Sequence, residues 1–102
     1  MPKHLSIGGL VAAGIDSTGG YLLIVSHSGR GVFSTDSWER VARDTEIVYP
    51  EAGLARGIGP LDGVCVPVKE INYGTGQLRF SSPDGKFCFE YEDGTLSIIN
   101  AA

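Results

Sequence analysis

Apolar and polar residues alternate most clearly in the last third of the chain. Residues 77–82, 86–92 and 95–99 each place apolar side chains at every second position: Leu78 and Phe80, then Phe87, Phe89 and Tyr91, then Leu96 and Ile98. Such alternation is typical of half-buried β-strands, because successive side chains point to opposite faces of a sheet. The pattern therefore predicts strands with one packed face and one wet face.

Short turn motifs separate these strands. The sequence Ser-Pro-Asp-Gly at 82–85 combines a proline that presets φ, an aspartate that can bond its own backbone and a glycine that accepts positive φ. Asp93-Gly94 is a dipeptide typical of two-residue hairpin turns. Upstream, Gly63 to Tyr73 reads as a strand with valines at 64, 66 and 68, although Pro67 cannot donate to a ladder. We predict a four-stranded antiparallel meander from Gly63 to Ile99.

The N-terminal half predicts three more strands. His4 to Ile15 contains a bend or bulge at Gly8-Gly9, and one face would carry Leu5, Ile7, Val11, Ala13 and Ile15. A turn-rich segment, 16–20, leads to Tyr21–Val25, which is apolar on both faces and is predicted as a central strand covered on both sides. Residues 29–31 would then turn into a short strand, 32–35.

Residues 36–62 fit more than one structure. Residues 36–39 resemble a helix capping box, and residues 38, 41 and 42 would share a helical face, which predicts one short helix near 37–43. The same segment fits a hairpin with a turn at 36–37 and a strand over 39–43, which we favour. Residues 46–49 could add a strand. Residues 50–62 predict a long loop, of the kind that often carries function.

These elements predict one all-β domain over residues 1–102: an antiparallel meander within a small sandwich or a partly open barrel, with one short helix possible near 37–43. A chain of 102 residues fits a single core. No apolar run is long enough to span a membrane, and the N-terminus is a poor signal peptide, so we expect a cytoplasmic protein. In that compartment Cys65 and Cys88 are expected to be unbridged thiols.

Charge and spacing narrow the function classes. The net charge of −4 disfavours nucleic acid, whose recognition uses Lys and Arg. His4, His27, Cys65 and Cys88 lack the spacing of a metal site. The glycines at 9–14 and 57–59 lack the remaining residues of nucleotide-binding loops. We therefore expect no metal, no cofactor and no membrane contact, and a binding protein rather than an enzyme.

Five residues are candidates for partner binding. Glu90, Glu92 and Asp93 lie together at one end of a predicted hairpin and could dock a basic protein, although a solvated sheet face is the simpler explanation, which we favour. Trp38 and Tyr49 are aromatic residues in the ambiguous segment. A flat acidic face would favour a protein partner. An aromatic pocket around Trp38 and Tyr49 would favour a small-molecule or carbohydrate ligand, or a minor enzyme that uses the 50–62 loop.

Two resemblances add to this interpretation. Residues 21–36 and 78–96 each resemble the strand-turn-strand unit of a β-propeller blade, a likeness of hairpin chemistry that implies no function. The stretch from Ser-His-Ser-Gly-Arg-Gly-Val-Phe at 26–33, through Trp-Glu-Arg-Val-Ala-Arg-Asp at 38–44, to Tyr49-Pro50 resembles small uncharacterised bacterial proteins. Some such small acidic β proteins are immunity proteins that neutralise a partner toxin, so this resemblance implies a toxin as the partner.

Overall fold

A computed structural model describes residues 3–46 and 48–100, and over these residues the chain is almost entirely β-strand, as predicted. Its strands are β1 (Lys3–Ser6), β2 (Leu10–Ile15), β3 (Tyr21–Ser26), β4 (Gly29–Ser34), β5 (Arg40–Arg43), β6 (Leu54–Arg56), β7 (Cys65–Pro67), β8 (Lys69–Glu70), β9 (Leu78–Ser81), β10 (Phe87–Glu92) and β11 (Thr95–Asn100). A 3₁₀ helix spans Gly59–Leu61. No helix of the described part is long and apolar enough to cross a membrane.

The front sheet has four strands in the order β1-β11-β10-β9, and all its pairs are antiparallel. Both predicted turns form. Gly85 N–H donates to the Ser82 carbonyl over 3.0 Å, which closes the turn between β9 and β10. Asp93 and Gly94 have φ values of +51° and +79°, the left-handed pair that a two-residue turn needs to match the twist of its strands. The predicted meander of the last three strands is therefore confirmed.

The central sheet has five strands in the order β5-β4-β3-β2-β8. Its strand β3 is covered on both faces, as its unbroken apolar run predicted. Leu22 and Ile24 join one buried cluster, and Leu23 and Val25 join another. The chain thus builds a β-sandwich with an additional layer behind it.

Two buried clusters hold the layers together. The first cluster lies between the front and central sheets: Ile7, Leu10, Ala13, Ile15, Leu22, Ile24, Leu78, Phe89, Tyr91, Leu96 and Ile98. The second cluster lies between the central sheet and a back hairpin made of β6 and β7, with the 3₁₀ helix beside it: Val11, Ala12, Leu23, Val25, Val32, Ala55, Leu61 and Val66. Burial of these side chains is the main force that stabilises the sandwich.

The prediction of one strand over 63–73 is wrong. The segment divides into β7, which pairs with β6, and β8, which pairs with β2. Val66 is buried in the second cluster, whereas Ile71 packs against the first, so the segment crosses from one side of the central sheet to the other. Of the three alternating valines only Val66 is buried, whereas Val64 is 40% exposed and Val68 is partly buried, so the alternation predicted neither the burial nor the cluster of each one.

The prediction of one strand over His4–Ile15 is also wrong, although the break at Gly8-Gly9 is real. That break sends β1 to the front sheet and β2 to the central sheet. The pairing of β2 with β3 shifts register between Leu10 and Ala12. Such a bulge changes the face on which the following residues lie, and Val11 therefore joins the second cluster instead of sharing a face with Ala13 and Ile15.

Three further boundaries differ from the prediction. Residues 50–62 are not one loop, because β6 and the 3₁₀ helix form within them. Residues 46, 48 and 49 are not in a strand, and residue 47 lies outside the described residues. The chain turns at 27–28, so β4 already begins at Gly29. There the backbone of Asp44 would collide with any Cβ on residue 29, whose φ is +134°.

The segment 36–43 forms the hairpin and not the short helix. Ser34 N–H donates to the Glu39 carbonyl over 3.0 Å, and β5 then runs antiparallel to β4. The loop between them ends at Trp38, whose φ of +59° is incompatible with a continuing helix.

Candidate functional site

The five candidate residues lie at three separate places. Glu90, Glu92 and Asp93 are at the outer face and end of the front sheet, Trp38 packs against the first cluster, and Tyr49 lies beside the back hairpin. Trp38 does not line the cavity that contains Tyr49.

The outer face of the front sheet is polar and only partly acidic, and a cavity of about 420 Å³ opens on it, lined in part by Arg79, Glu90 and Glu92. Its strand pairing places His4, Ser97, Glu90 and Arg79 in one row across four strands. Arg79 and Glu90 form an ion pair of 2.8 Å, with 80% of the arginine and 46% of the glutamate side chain exposed. Exposed pairs of this kind contribute little stability, but this one neutralises a carboxylate of the predicted docking patch. Glu92 and Asp93 are exposed.

Trp38 contributes to the end of the sandwich. It contacts Phe87 edge-on, with ring centroids 5.1 Å apart, and Phe89 at 6.1 Å. Its side chain is partly buried against the first cluster. The tryptophan thus closes the space between the front sheet and the β4–β5 loop.

Tyr49 lies in a groove whose one wall carries Glu46 and Val48 and whose other wall is the back hairpin. The groove has a volume of about 630 Å³. Tyr49 is 56% exposed, and its hydroxyl lies 3.4 Å from His27 Nδ1. The two rings meet edge-on with centroids 6.1 Å apart, so the tyrosine is held from one side while its other side faces the groove.

The back hairpin supplies the opposite wall. In β6, Ala55 is buried in the second cluster, so its neighbours Leu54 and Arg56 point away from the core and line the groove. A tight turn at Ala52-Gly53, both with positive φ, brings Glu51 back opposite Leu54. Leu54 is 42% exposed and Val48, on the other wall, is 38% exposed.

Carboxylates surround these apolar side chains. Glu46, Glu51 and Asp62 line the groove and are exposed, and Arg56 is the exposed cation among its lining residues. The groove therefore combines an apolar centre with a mostly acidic border. Cys65 also lines it and is exposed; both cysteines are unbridged, as predicted.

A buried arginine connects the two walls. Arg30 is only 8% exposed, yet its guanidinium bonds Asp44 from Nε at 3.1 Å and from Nη2 at 2.6 Å. Nη1 donates to the carbonyl of Arg56 over 3.1 Å, and Nη2 reaches Glu46 over 3.2 Å. Charge-assisted bonds to fixed partners make burial of a guanidinium tolerable, and here they join β4 to both the 44–46 segment and β6.

The surroundings of Asp44 keep its carboxyl group ionised, as its bonds to Arg30 require. Its partial burial would by itself raise the pKa of the carboxyl, but hydrogen bonds from the side chain and backbone of Arg30 outweigh it and hold the pKa of Asp44 below its ordinary 3.8. The carboxylate therefore stays ionised at neutral pH and keeps Arg30 in place.

Sequence reasoning named Tyr49 and singled out the segment 50–62, which supplies much of the groove lining, but it named none of the other lining residues. Val48, Leu54 and Arg56 lie in short segments whose alternation is not recognisable without knowing that Ala55 is the buried residue. The burial of Arg30 was not predicted, because arginine is rarely buried. The one available hint was Gly-Arg-Gly at 29–31, where two glycines flank a charged residue inside a strand.

Neither metal-ligating side chains nor comparisons with known proteins assign a function to the groove. Among residues 3–46 and 48–100, no group of three or more His, Cys, Asp or Glu side chains is arranged to hold a metal ion. Comparison with protein-family models, with curated proteins and with solved structures gave no match.

Proposed function

We propose that this chain is a non-catalytic protein-binding domain whose groove takes an apolar side chain of a partner protein next to a basic residue. The observation that carries the proposal is the clustering of Val48, Tyr49 and Leu54, three large and exposed apolar side chains, in one concave surface. Single exposed apolar residues are common on soluble proteins, but contiguous ones with a polar border are typical of interaction sites.

The border supports a basic partner. Three carboxylates, Glu46, Glu51 and Asp62, line the groove with two arginines, the exposed Arg56 and the buried Arg30, in a chain whose net charge is −4. Arg30 pairs with Glu46, so Glu51 and Asp62 are the carboxylates left to meet a basic partner. Complementary charge at the rim acts mainly on the rate of encounter, and salt screens it. Association should therefore slow as ionic strength rises.

The resemblance to small bacterial immunity proteins supports a more specific form of this function. It covers residues 26–50 and so includes Arg30, Asp44 and Tyr49. In that form the partner is a toxin with a basic surface, and this chain neutralises it in the cytoplasm by covering that surface.

A small-molecule ligand, such as a carbohydrate, is the second candidate. It is favoured by the groove volume of about 630 Å³, which lies within the roughly 300–1,000 Å³ of small-ligand sites. Tyr49 could stack on a sugar ring while Glu51 and Asp62 accept hydrogen bonds from its hydroxyls. Binding of a neutral sugar would be insensitive to salt, whereas binding of a basic partner would not.

The experiment is selection of a displayed random peptide library on the intact chain, followed by measurement of affinity for the enriched peptides. We expect peptides with a large apolar residue beside Lys or Arg. Tyr49→Ala and Leu54→Ser should each weaken their binding at least tenfold, because central aromatic and apolar contacts carry most of the binding energy of such interfaces.

Two controls identify the surface that is used. Tyr73→Ala removes a tyrosine that is 67% exposed and does not line the groove, and should leave affinity unchanged. Glu90→Lys combined with Glu92→Lys reverses the charge of two residues on the outer face of the front sheet. This double variant should also fold and bind normally, because both side chains face away from the first cluster. Loss of binding in this double variant alone, or failure to enrich any peptide, would contradict the proposal.

A further inference from the structure

Strand β5 presents two arginines on the same face. Phe33 pairs with Arg40, Val32 with Ala42 and Gly31 with Arg43, so the register shifts and Val41 is the additional residue of a bulge. Residues three apart in a regular strand lie on opposite faces. The bulge removes that difference, and both guanidinium-bearing residues line one cavity.

The cavity lies at an open end of the sandwich, beyond the first cluster, and is distinct from the groove. Its volume is about 230 Å³. Ile24 and Phe33 provide apolar wall, and Ser6, Ser26 and Ser28 contribute hydroxyl-bearing residues. Gly31 keeps the floor open, since a Cβ there would lie 3.7 Å from Arg40 Cδ and from Phe33 Cε1.

The charge of this cavity opposes that of the whole chain. Arg30, Arg40 and Arg43 line it with Asp44 as the single carboxylate, in a protein of net charge −4. Asp44 is already bonded to Arg30. Within the described part of the chain, neither Arg40 nor Arg43 forms an ion pair with a carboxylate.

We propose that this cavity binds a free small oxyanion, a phosphate or a carboxylate, between Arg40 and Arg43. The planar guanidinium fork matches the oxygens of either group and bonds them in pairs. A volume of about 230 Å³ admits such an anion but falls below the roughly 300 Å³ at which drug-sized ligands begin to fit. Ser6 offers a further hydroxyl donor, whereas the Ser26 hydroxyl already donates to the Gly29 carbonyl over 2.9 Å and Ser28 Oγ lies 3.1 Å from Ser26 Oγ.

Edge protection is the competing explanation for these arginines. β5 is an edge strand of the central sheet, and charged side chains on edge strands oppose pairing with other chains. That role needs charge on the strand but no saturable ligand. The two explanations therefore differ in whether an anion binds stoichiometrically.

The test is a titration of the isotope-labelled chain with inorganic phosphate and, separately, with malonate, at an ionic strength held constant with sodium chloride. Amide NMR shifts should saturate at Gly8, Ser28 and Gly31 and leave the groove amides unchanged. The anion that saturates at lower concentration identifies the preferred group. Shifts that do not saturate, or that chloride reproduces, would overturn the proposal.

Variants connect the binding to the two arginines. Arg40→Gln with Arg43→Gln should weaken binding at least tenfold, whereas Arg79→Gln, which removes an exposed arginine from the front sheet, should leave it unchanged. Arg40→Lys with Arg43→Lys keeps both positive charges but removes the planar guanidinium groups, and should give intermediate affinity. The lysine variant replaces the glutamine variant in the test if the glutamine variant does not fold. Parent-like affinity in a folded glutamine variant, or in the lysine variant if the glutamine variant does not fold, would overturn the proposal.

Discussion

The side chain of Arg30 is almost completely buried. Its guanidinium nitrogens donate to the carboxylates of Asp44 and Glu46 and to the backbone carbonyl of Arg56. Removal of one partner from a buried ion pair leaves the other charge uncompensated, which costs more than the pair itself contributes. The geometry of the groove therefore depends on a buried residue that lines it and bonds both of its walls.

Replacement of Asp44 tests this dependence through pH. Asp44→Asn should lower the free energy of unfolding at pH 7 by about 2 kcal/mol, since it removes the charge from hydrogen bonds that a charged group strengthens. The pKa of Asp44 is lowered on folding from its ordinary 3.8. Its contribution is thus complete above that value and is lost as the pH falls through the lower, folded pKa.

Urea denaturation across pH measures this directly. The difference between the parent and Asp44→Asn should shrink as the pH falls below 3.8. Asp36→Asn is the matched control, because Asp36 is exposed in the β4–β5 loop, and should change stability by less than about 0.5 kcal/mol. A difference for Asp44 that does not vary with pH would contradict the ionic account.

Trp38 combines backbone strain with packing, and two substitutions separate them. Trp38→Ala should destabilise the fold by about 2–3 kcal/mol, because a partly buried aromatic side chain is lost while the positive φ remains. Trp38→Gly loses the same contacts but accepts that φ, so it should be more stable than the alanine variant by about 1 kcal/mol. Chemical denaturation followed by circular dichroism measures both; equal stabilities would show that residue 38 carries no strain.

At the scale of elements, alternation was sufficient to predict strands but not to assign them to sheets. The residues of β10 and β11 were predicted on the correct faces, because a sheet with one wet face has a two-residue period that local sequence displays. Residues 63–73 show a similar period, yet Val66 and Ile71 pack on different clusters. The pattern indicates a strand, whereas the burial of each side chain and the partner strand are decided by long-range packing.

Bulges and special backbone angles account for most of the remaining errors. Val11 was assigned to the wrong face because the shift in β2 cannot be seen in its sequence. The bulge in β5, which places Arg40 and Arg43 on one face, is equally invisible in the sequence. Ala52 and Trp38 adopt positive φ without being glycine, so neither marks its turn. Of the candidate site, only Tyr49 was predictable, as an aromatic residue next to a segment rich in Gly and Pro.

Gly14 shows how closely two elements approach. A Cβ at this position in β2 would overlap the carbonyl oxygen of Pro67, at the end of β7. Gly14→Ala should therefore lower the free energy of unfolding by about 1–3 kcal/mol, the usual effect of overpacking. Gly31→Ala, also in a central-sheet strand but with ordinary contacts of 3.7 Å, should have little effect; equal destabilisation of the two variants would contradict the proposed close approach.

At the scale of the whole molecule, the layers separate three kinds of surface. The front sheet presents a polar face with mixed charge. The back hairpin presents a groove with an apolar centre and a mostly acidic border, and the open end of the sandwich presents a cationic cavity. The groove and the cavity share Arg30, but Tyr49 and Leu54 line only the groove. Arg40 and Arg43 line only the cavity, so substitutions at these residues should affect one surface and leave the others intact. That separation allows each proposed activity to be tested alone.

The most direct test of the protein-binding account is site-specific photo-crosslinking in a lysate of the organism that encodes the chain. A photoreactive phenylalanine analogue is placed at position 49, or at position 73 as an equally exposed control outside the groove. We predict a protein adduct at position 49, mapped by mass spectrometry to a segment with Lys or Arg beside an apolar residue, and weakened by added salt. Adducts that are the same from both positions, or that are absent at position 49, would contradict the account.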